Sequence, residues 1–302
     1  MVPPPSLQLL LQEPQYTKLK TRCTERRKAF KADPAAQDDL AAYHRRDNDH
    51  VYSALPGLVP DSVVGKGDIP YFRSDSFFTD FALHQPSYVL SSSKESLIIG
   101  NKRSHDVRLA SAEWDPEHID RSTSAGMSYF HFMVIPKRKV YNIVSLTDTA
   151  IIHEMISHFK SFWAQPGAAQ KCIDRINLAV KEQADQVLAH LDDKQSSSFN
   201  EVLKDVRKYA EECSVQLRKL SAQDFVFGFH AMPDASVGHL HMHVLPLSET
   251  FRQFSTYVHD TKTIPARAVI EVLEAQSERS THVCTLFWSA HYFKTFIGRF
   301  SM

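Results

Sequence analysis

The sequence predicts an α+β protein, because strand-like and helix-like hydrophobic periods alternate along one stretch of the chain. The run 127–136 (MSYFHFMVIP) is aromatic and β-branched and ends at a proline, which is typical of a strand. Three segments after it repeat apolar residues at helical spacing. The alternating runs 224–230 and 239–245 follow, separated by turn-forming residues, so we expect them to pair as an antiparallel hairpin.

Composition and charge restrict the class of protein. The chain has 302 residues, of which 43% are hydrophobic, enough for a substantial core. Its 35 Lys and Arg balance 35 Asp and Glu, so no global field attracts nucleic acid or membranes and any polyanion site must be local. The four cysteines form no CxxC pair, and no secretory signal or long apolar span is evident. We therefore expect a protein of the cytoplasm or nucleus, without a membrane anchor.

The first 55 residues form a charged helical extension in this interpretation, and they hold the most basic part of the chain. A solvated helical face is the favoured explanation, and a phosphate-binding arm for DNA is the alternative. The linker and aromatic patch at 56–84 mark a domain boundary, since proline and glycine cluster there before several Phe and Tyr residues. The basic residues are Lys18, Lys20, Arg22, Arg26, Arg27, Lys28 and Lys31.

Three helices are predicted between the strands. Thr147 or Asp148 can cap the first, whose apolar stripe faces a core. The second covers 168–191 and the third 199–220, with a short polar loop between them. We expect these helices and the strands to form the main domain, at 85–250. A C-terminal tail at 251–302, helical at first and then apolar, is expected to pack on that domain.

Three histidines at alternate positions form the candidate site. Residues at i, i+2 and i+4 of a strand project from one face, so His239, His241 and His243 would form a row of imidazoles. Neutral imidazole can attack phosphorus, and protonated imidazole donates hydrogen bonds to phosphate oxygens. Nucleotide chemistry, a metal site and a merely exposed row of histidines all remain compatible with this spacing.

The residues around the row resemble a known family. The stretch 236–246 (SVGHLHMHVLP) is similar to the signature of the histidine triad (HIT) superfamily, and 131–137 (HFMVIPK) resembles a second landmark strand of that family. The resemblance covers about 86–249. It implies a HIT-like fold with a five-stranded antiparallel sheet, and a two-step nucleotidyl transfer that needs no metal or other cofactor.

Roles follow from the resemblance by position. His241 would become transiently nucleotidylated on the α-phosphorus, and His243 would hydrogen-bond the phosphate oxygens. His239 would bind or orient the phosphate and the neighbouring imidazole. Four further residues are expected to contact the substrate: Ser236, His230, His131 and Lys137.

Two departures refine the expected function. The triad ends in His243 rather than in the Gln of the nucleotidyltransferase branch, which favours hydrolysis of an adenylated or related nucleotide conjugate. The stretch 228–233 (GFHAMP) resembles aprataxins, yet the tail lacks the CxxC of their zinc finger. An aprataxin-like 5′-adenyl-DNA deadenylase and a non-catalytic nucleotide-binding protein are the alternatives. Since HIT proteins are often two-fold dimers, a homodimer is also compatible with the resemblance.

Overall fold

A computed structural model describes seven stretches of the chain, and the fold is built from these. They are residues 6–45, 78, 81–101, 103–110, 114, 126–235 and 237–278. Three expected features lie outside these stretches: most of the linker, Ser236, and the apolar tail, for which no zinc finger is expected.

Six strands of the described residues form one antiparallel sheet in the order β1-β2-β3-β5-β4-β6. The strands are β1 (Val89–Ser92), β2 (Ser96–Gly100), β3 (Phe132–Pro136), β4 (Phe225–His230), β5 (Met242–Pro246) and β6 (Thr263–Pro265). The expected count of five was one too low. The missed strand, β6, has only three residues and ends in proline, so it is too short to show a hydrophobic period.

The expected hairpin of β4 and β5 is confirmed, with Gly228 paired to His243. The strand itself begins at Met242 rather than at 239. His239 forms only an isolated bridge with Tyr141, so two histidines of the triad precede the strand and the third lies inside it. The triad therefore occupies the point where the chain enters β5.

Helices α1 to α6 are Gln15–Ala32, Pro34–Arg45, Phe81–His84, Ala150–Trp163, Ala168–Leu188 and Asp193–Leu217, and the described part of α7 covers 266–278.

The predicted polar loop before residue 199 was wrong, because those residues form the first turns of α6. Asp192 accepts from the backbone N–H of Gln195, whose side chain bonds back to the Asp192 N–H. This capping box stabilises a helix start that has no apolar period.

Both faces of the central sheet are covered. Ile98, Val134 and Met242 belong to the main core, which also contains the apolar stripes of α4, α5 and α6. The opposite face carries Ile99 and Met133 under a smaller cluster formed with Phe78, Phe81, Tyr88 and Val237. Met133 pairs with His243, so the imidazole of His243 lies on this second, aromatic-covered face.

The N-terminal helices share the main core, which includes Tyr16, Phe30 and Tyr43. Arg27 is only 2% exposed, and its guanidinium donates to the backbone carbonyls of Ile143 and Leu146. Three other basic side chains of α1 also contact later parts of the chain. Lys20 forms an ion pair with Glu271 and Arg26 with Asp234, and Arg22 donates to the carbonyl of Thr261. Most of the basic segment is therefore used to fasten α1 to the domain.

Replacing Arg27 by Ala should lower the free energy of unfolding by about 3 kcal/mol, since it leaves two buried carbonyls without donors. Urea unfolding followed by circular dichroism measures the change. Lys28→Ala is the matched control on the same helix, where the exposed side chain predicts an effect within about 0.5 kcal/mol. Equal losses from the two substitutions would contradict the docking of α1.

Candidate active site

Four histidines converge on the aromatic-covered face of the sheet, and a fifth lies beside them. His131 directly precedes β3, His230 ends β4 and His243 lies in β5. The ring centroids of His243 lie 4.2 Å from His230, 5.0 Å from His131 and 4.9 Å from His241. None of these rings, nor that of His239, is more than 6% exposed. The strands therefore assemble an enclosed group of imidazoles from three separate segments.

The proton of neutral His241 is placed by the backbone. Its Nδ1 lies 2.8 Å from the carbonyl oxygen of His239, which can only accept, so Nδ1 carries the hydrogen. The lone pair is then on Nε2. The ring of Phe78 packs against this imidazole with a centroid distance of 5.2 Å and excludes water from it.

The proton of His243 is placed by a relay that begins at Asn101. The side-chain amide of Asn101 (3.0 Å) and the backbone N–H of Met127 (3.3 Å) both donate to Nδ1 of His131. His131 must therefore carry its hydrogen on Nε2, from which it donates over 2.8 Å to Nδ1 of His243. His243 in turn carries its hydrogen on Nε2, and that buried atom has no partner among the described residues.

A buried donor without a partner costs about 1–3 kcal/mol of stability, and this free energy is regained when an acceptor binds. The Nε2–H of His243 lies beside the imidazole of His241, whose own Nε2 is unprotonated. A donor next to a nucleophile is the arrangement needed to hold a phosphate oxygen while its phosphorus is attacked.

His239 is fully occupied by the protein. Its Nε2 lies 2.9 Å from the carbonyl of Pro136, and its Nδ1 lies 2.7 Å from the hydroxyl of Tyr43 on α2. Because the Pro136 carbonyl only accepts, Tyr43 is the donor to Nδ1. His239 thus acts on His241 through its own backbone carbonyl, while a direct contact of its ring with phosphate stays a prediction.

His230 is held by the sixth strand. The hydroxyl of Thr263 donates to the carbonyl of His259 over 2.8 Å, so it accepts from Nε2 of His230 at 3.0 Å. The structure thus brings His230 and His131 to the triad. It places the exposed Lys137 elsewhere, with its ammonium group on the carbonyl of Ser93, and Ser236 lies outside the described residues.

Burial lowers the pKa of every imidazole in the group, because the charged form loses its hydration. The pKa falls to about 4 for His241 and His239 and to about 3 for His131. For His230 and His243 it lies well below the ordinary value, and the positive charge of Lys262 lowers the pKa of His230 and His241 further. The site is therefore a neutral group of imidazoles at pH 7 next to a cation, which suits an anionic ligand.

Three supporting residues escaped the sequence analysis: Asn101, Tyr43 and Thr263. Each is a single polar residue, distant in sequence from the histidine it bonds, and none lies in a motif. Only the pairing of β2 with β3, the docking of α2 and the short β6 bring them to the site.

A comparison with protein families matches residues 177–257 to the family described as scavenger mRNA decapping enzyme C-term binding. The match covers about a quarter of the chain and includes β4, β5 and all three residues of the histidine row. That C-terminal domain is a HIT-family domain. The matched segment is similar to a histidine triad domain. This similarity indicates a HIT-type hydrolase or nucleotide-binding function for the segment. No significant match was found among curated proteins or solved structures.

Two negative findings in the described residues bear on other classes of function. No group of three or more His, Cys, Asp or Glu side chains there has an arrangement that could hold a metal ion. Within the same residues, every helix is too short or too polar to cross a membrane.

The buried histidines should make the fold sensitive to acid. Their pKa values are lowered in the folded state but are near 6.5 in the unfolded chain, which therefore binds more protons below that pH. The contribution of these neutral histidines to the free energy of unfolding is fully present above about pH 6.5 and is lost as the pH falls toward about 4. At about pH 5.5 the loss is about 1.4 kcal/mol for each such histidine.

Urea unfolding across this pH range measures the loss. A His230→Asn variant should show a shallower dependence on pH than the wild type. His153→Asn, at an exposed position of α4, should keep the wild-type slope. A free energy of unfolding that does not change between about pH 7 and 5 would rule out the neutral, buried state of these imidazoles.

Proposed function

We propose that the protein is a nucleotidyl hydrolase of the histidine triad type, which cleaves a nucleotide conjugate at its α-phosphorus through a covalent intermediate on His241. The observation that carries the proposal is the placement of protons. His241 keeps an unprotonated Nε2, while the neighbouring His243 keeps an unpaired Nε2–H.

In the first step, Nε2 of His241 forms a bond to the α-phosphorus and the bond from phosphorus to the leaving group breaks. The Nε2–H of His243 donates to a non-bridging phosphate oxygen as negative charge builds up there. In the second step, water attacks the same phosphorus, the bond to His241 breaks, and the free nucleotide is released. The leaving group takes up a proton from solvent in the first step, and the attacking water releases one to solvent in the second, so the two steps balance.

Enclosure strengthens these electrostatic effects. The low exposure of the imidazoles and the cover provided by Phe78 exclude water, so a single hydrogen bond to the phosphate counts for more than it would in solvent. Lys262 adds positive charge close to His230 and His241. Substrate binding must displace Phe78 or pass beside its ring.

Three conjugates are candidate substrates. An adenosine phosphoramidate tests the simplest adenylated compound, and a capped dinucleotide follows from the similarity to the decapping domain. Adenylated DNA tests the aprataxin-like alternative, for which α1 still exposes Lys18, Lys28 and Lys31. Binding of a nucleotide without turnover of any of the three would favour the non-catalytic alternative.

Replacing His241 by Asn should reduce release of the nucleotide by at least about 10³-fold, because the nucleophile is lost. Product release from the three conjugates is measured in the presence of EDTA. Mass spectrometry of the wild type, quenched in alkali during turnover, should show one nucleotidyl group on His241. His153→Asn is the control at an exposed histidine and should keep full activity. Turnover by His241→Asn equal to that of the wild type would refute the mechanism.

Replacing Asn101 by Asp tests the proton relay with almost no change in shape. Aspartate cannot donate to Nδ1 of His131, and its carboxylate is a stronger acceptor than the Met127 N–H, 3.3 Å away, is a donor. His131 would therefore move its hydrogen to Nδ1, and His243 would lose the hydrogen from its Nε2. We expect kcat to fall by about 10–100-fold with little change in KM.

The histidine ¹⁵N chemical shifts of this variant should report the changed tautomer of His243, which a merely structural defect would not produce. Asn177→Asp, at an exposed position of α5, is the matched control and should leave kcat and the tautomer unchanged. An unchanged tautomer of His243 in Asn101→Asp would contradict the relay.

A further inference from the structure

A second hydrogen-bonded network lies between the β1–β2 hairpin and helix α4. Ser91 belongs to β1 and Ser96 to β2, while Glu154 and His158 are one turn apart on α4. Ser96 is fully buried, and the other three side chains are half-buried. The four residues form one continuous chain of hydrogen bonds that reaches solvent at Ser91.

Glu154 sets the direction of this chain. Its Oε1 lies 3.0 Å from the hydroxyl of Ser96 and 3.0 Å from that of Ser93, while its Oε2 is buried without a partner. An ionised carboxylate only accepts, so it needs both hydroxyl hydrogens. The oxygen of Ser96 is then left to accept from Nδ1 of His158, which is 2.7 Å away.

With its hydrogen on Nδ1, His158 presents an unprotonated Nε2. That atom lies 3.0 Å from Oγ of Ser91, whose hydroxyl hydrogen it accepts. Burial lowers the pKa of His158, and of the two charged groups that act on it, Glu154 raises the pKa and Lys137 lowers it. His158 is thus neutral at pH 7 and is able to take a proton from Ser91.

The backbone of β1 turns Ser91 toward this base. Val89 pairs with Ile99, whereas Ser91 pairs with Ile98, so one extra residue is inserted in β1 at this point. Such a bulge redirects the side chains that follow it and is frequent beside active sites. Lys137, which the sequence analysis assigned to the substrate, donates to the carbonyl of Ser93 and places a positive charge on the same hairpin.

We propose that Ser91 is an activated nucleophile of a second reactive site, independent of the histidine triad, that accepts acyl groups from esters. His158 is the base, and Ser96 with Glu154 positions it. Oγ of Ser91 forms a bond to the acyl carbon as its proton passes to Nε2 of His158. The ester C–O bond breaks and the leaving alcohol takes that proton. Water then hydrolyses the acyl-serine, with His158 accepting a proton from water and returning it to Ser91.

A fluorophosphonate probe tests the nucleophile directly, because Ser91 would displace fluoride and keep a stable phosphonyl ester. Peptide mass spectrometry locates the label. We expect Ser91 to be modified at least about 100-fold faster in the wild type than in His158→Gln, and no modification at this position in Ser91→Ala. Ser92→Ala, at the exposed neighbouring serine, is the matched control and should be labelled like the wild type.

Glu154→Gln tests the positioning of the base. A glutamine amide can donate to Ser96, which frees the Ser96 hydrogen to bind Nδ1 of His158 and moves the histidine hydrogen to Nε2. Labelling of Ser91 should then slow by about 10–100-fold, while circular dichroism and the melting temperature confirm folding. The same variants should slow the hydrolysis of p-nitrophenyl acetate in parallel with the labelling. Ser91→Ala should leave nucleotide release unchanged. Labelling at Ser91 that does not depend on His158, or no labelling at Ser91, overturns the proposal.

Discussion

The hydrogen bond from His131 to His243 is the interaction on which the candidate active site depends. It determines which nitrogen of His243 carries hydrogen, and it is itself determined by two donors on His131 from Asn101 and Met127. An imidazole that could exchange tautomers freely would present a lone pair to phosphate as often as a hydrogen. The neighbouring strands remove that freedom, and the cost is a buried donor that has no partner among the described residues.

Such an arrangement requires a sheet that is buried on both sides. The helices α4 to α6 cover one face, and the aromatic cluster around Phe78, Phe81 and Tyr88 covers the other. In contact with water, the imidazoles would be hydrated and would titrate near their ordinary pKa. Enclosed by apolar groups, they stay uncharged at neutral pH, so the same packing that stabilises the fold keeps Nε2 of His241 unprotonated.

The sequence predicted the parts of the fold that repeat a pattern. The antiparallel pairing of β4 with β5 and the helices α4 and α5 follow from hydrophobic periods, and the proximity of His241 to His243 follows from their spacing. The expected start of the strand at 239 was wrong, since β5 begins at Met242. The sequence could not predict β6, which is three residues long, or the first turns of α6, whose polar residues resemble a loop. It also could not indicate Asn101 or Tyr43, since a single polar residue gains its role only from the tertiary contact that it makes. The bond from the ammonium group of Lys137 to the β1–β2 hairpin was not predictable either, and the substrate contact expected for Lys137 stays a prediction.

The hydrogen bond between Tyr43 and His239 joins residues that are 196 positions apart. Closing a loop between residues so far apart in sequence has a large entropic cost, which the rest of the fold must offset. The orientation of His239, and through its carbonyl that of His241, therefore depends on the docking of α2 on the sheet. Loss of the α2 contact, which is far from the histidines in sequence, would leave Nδ1 of His239 without its donor.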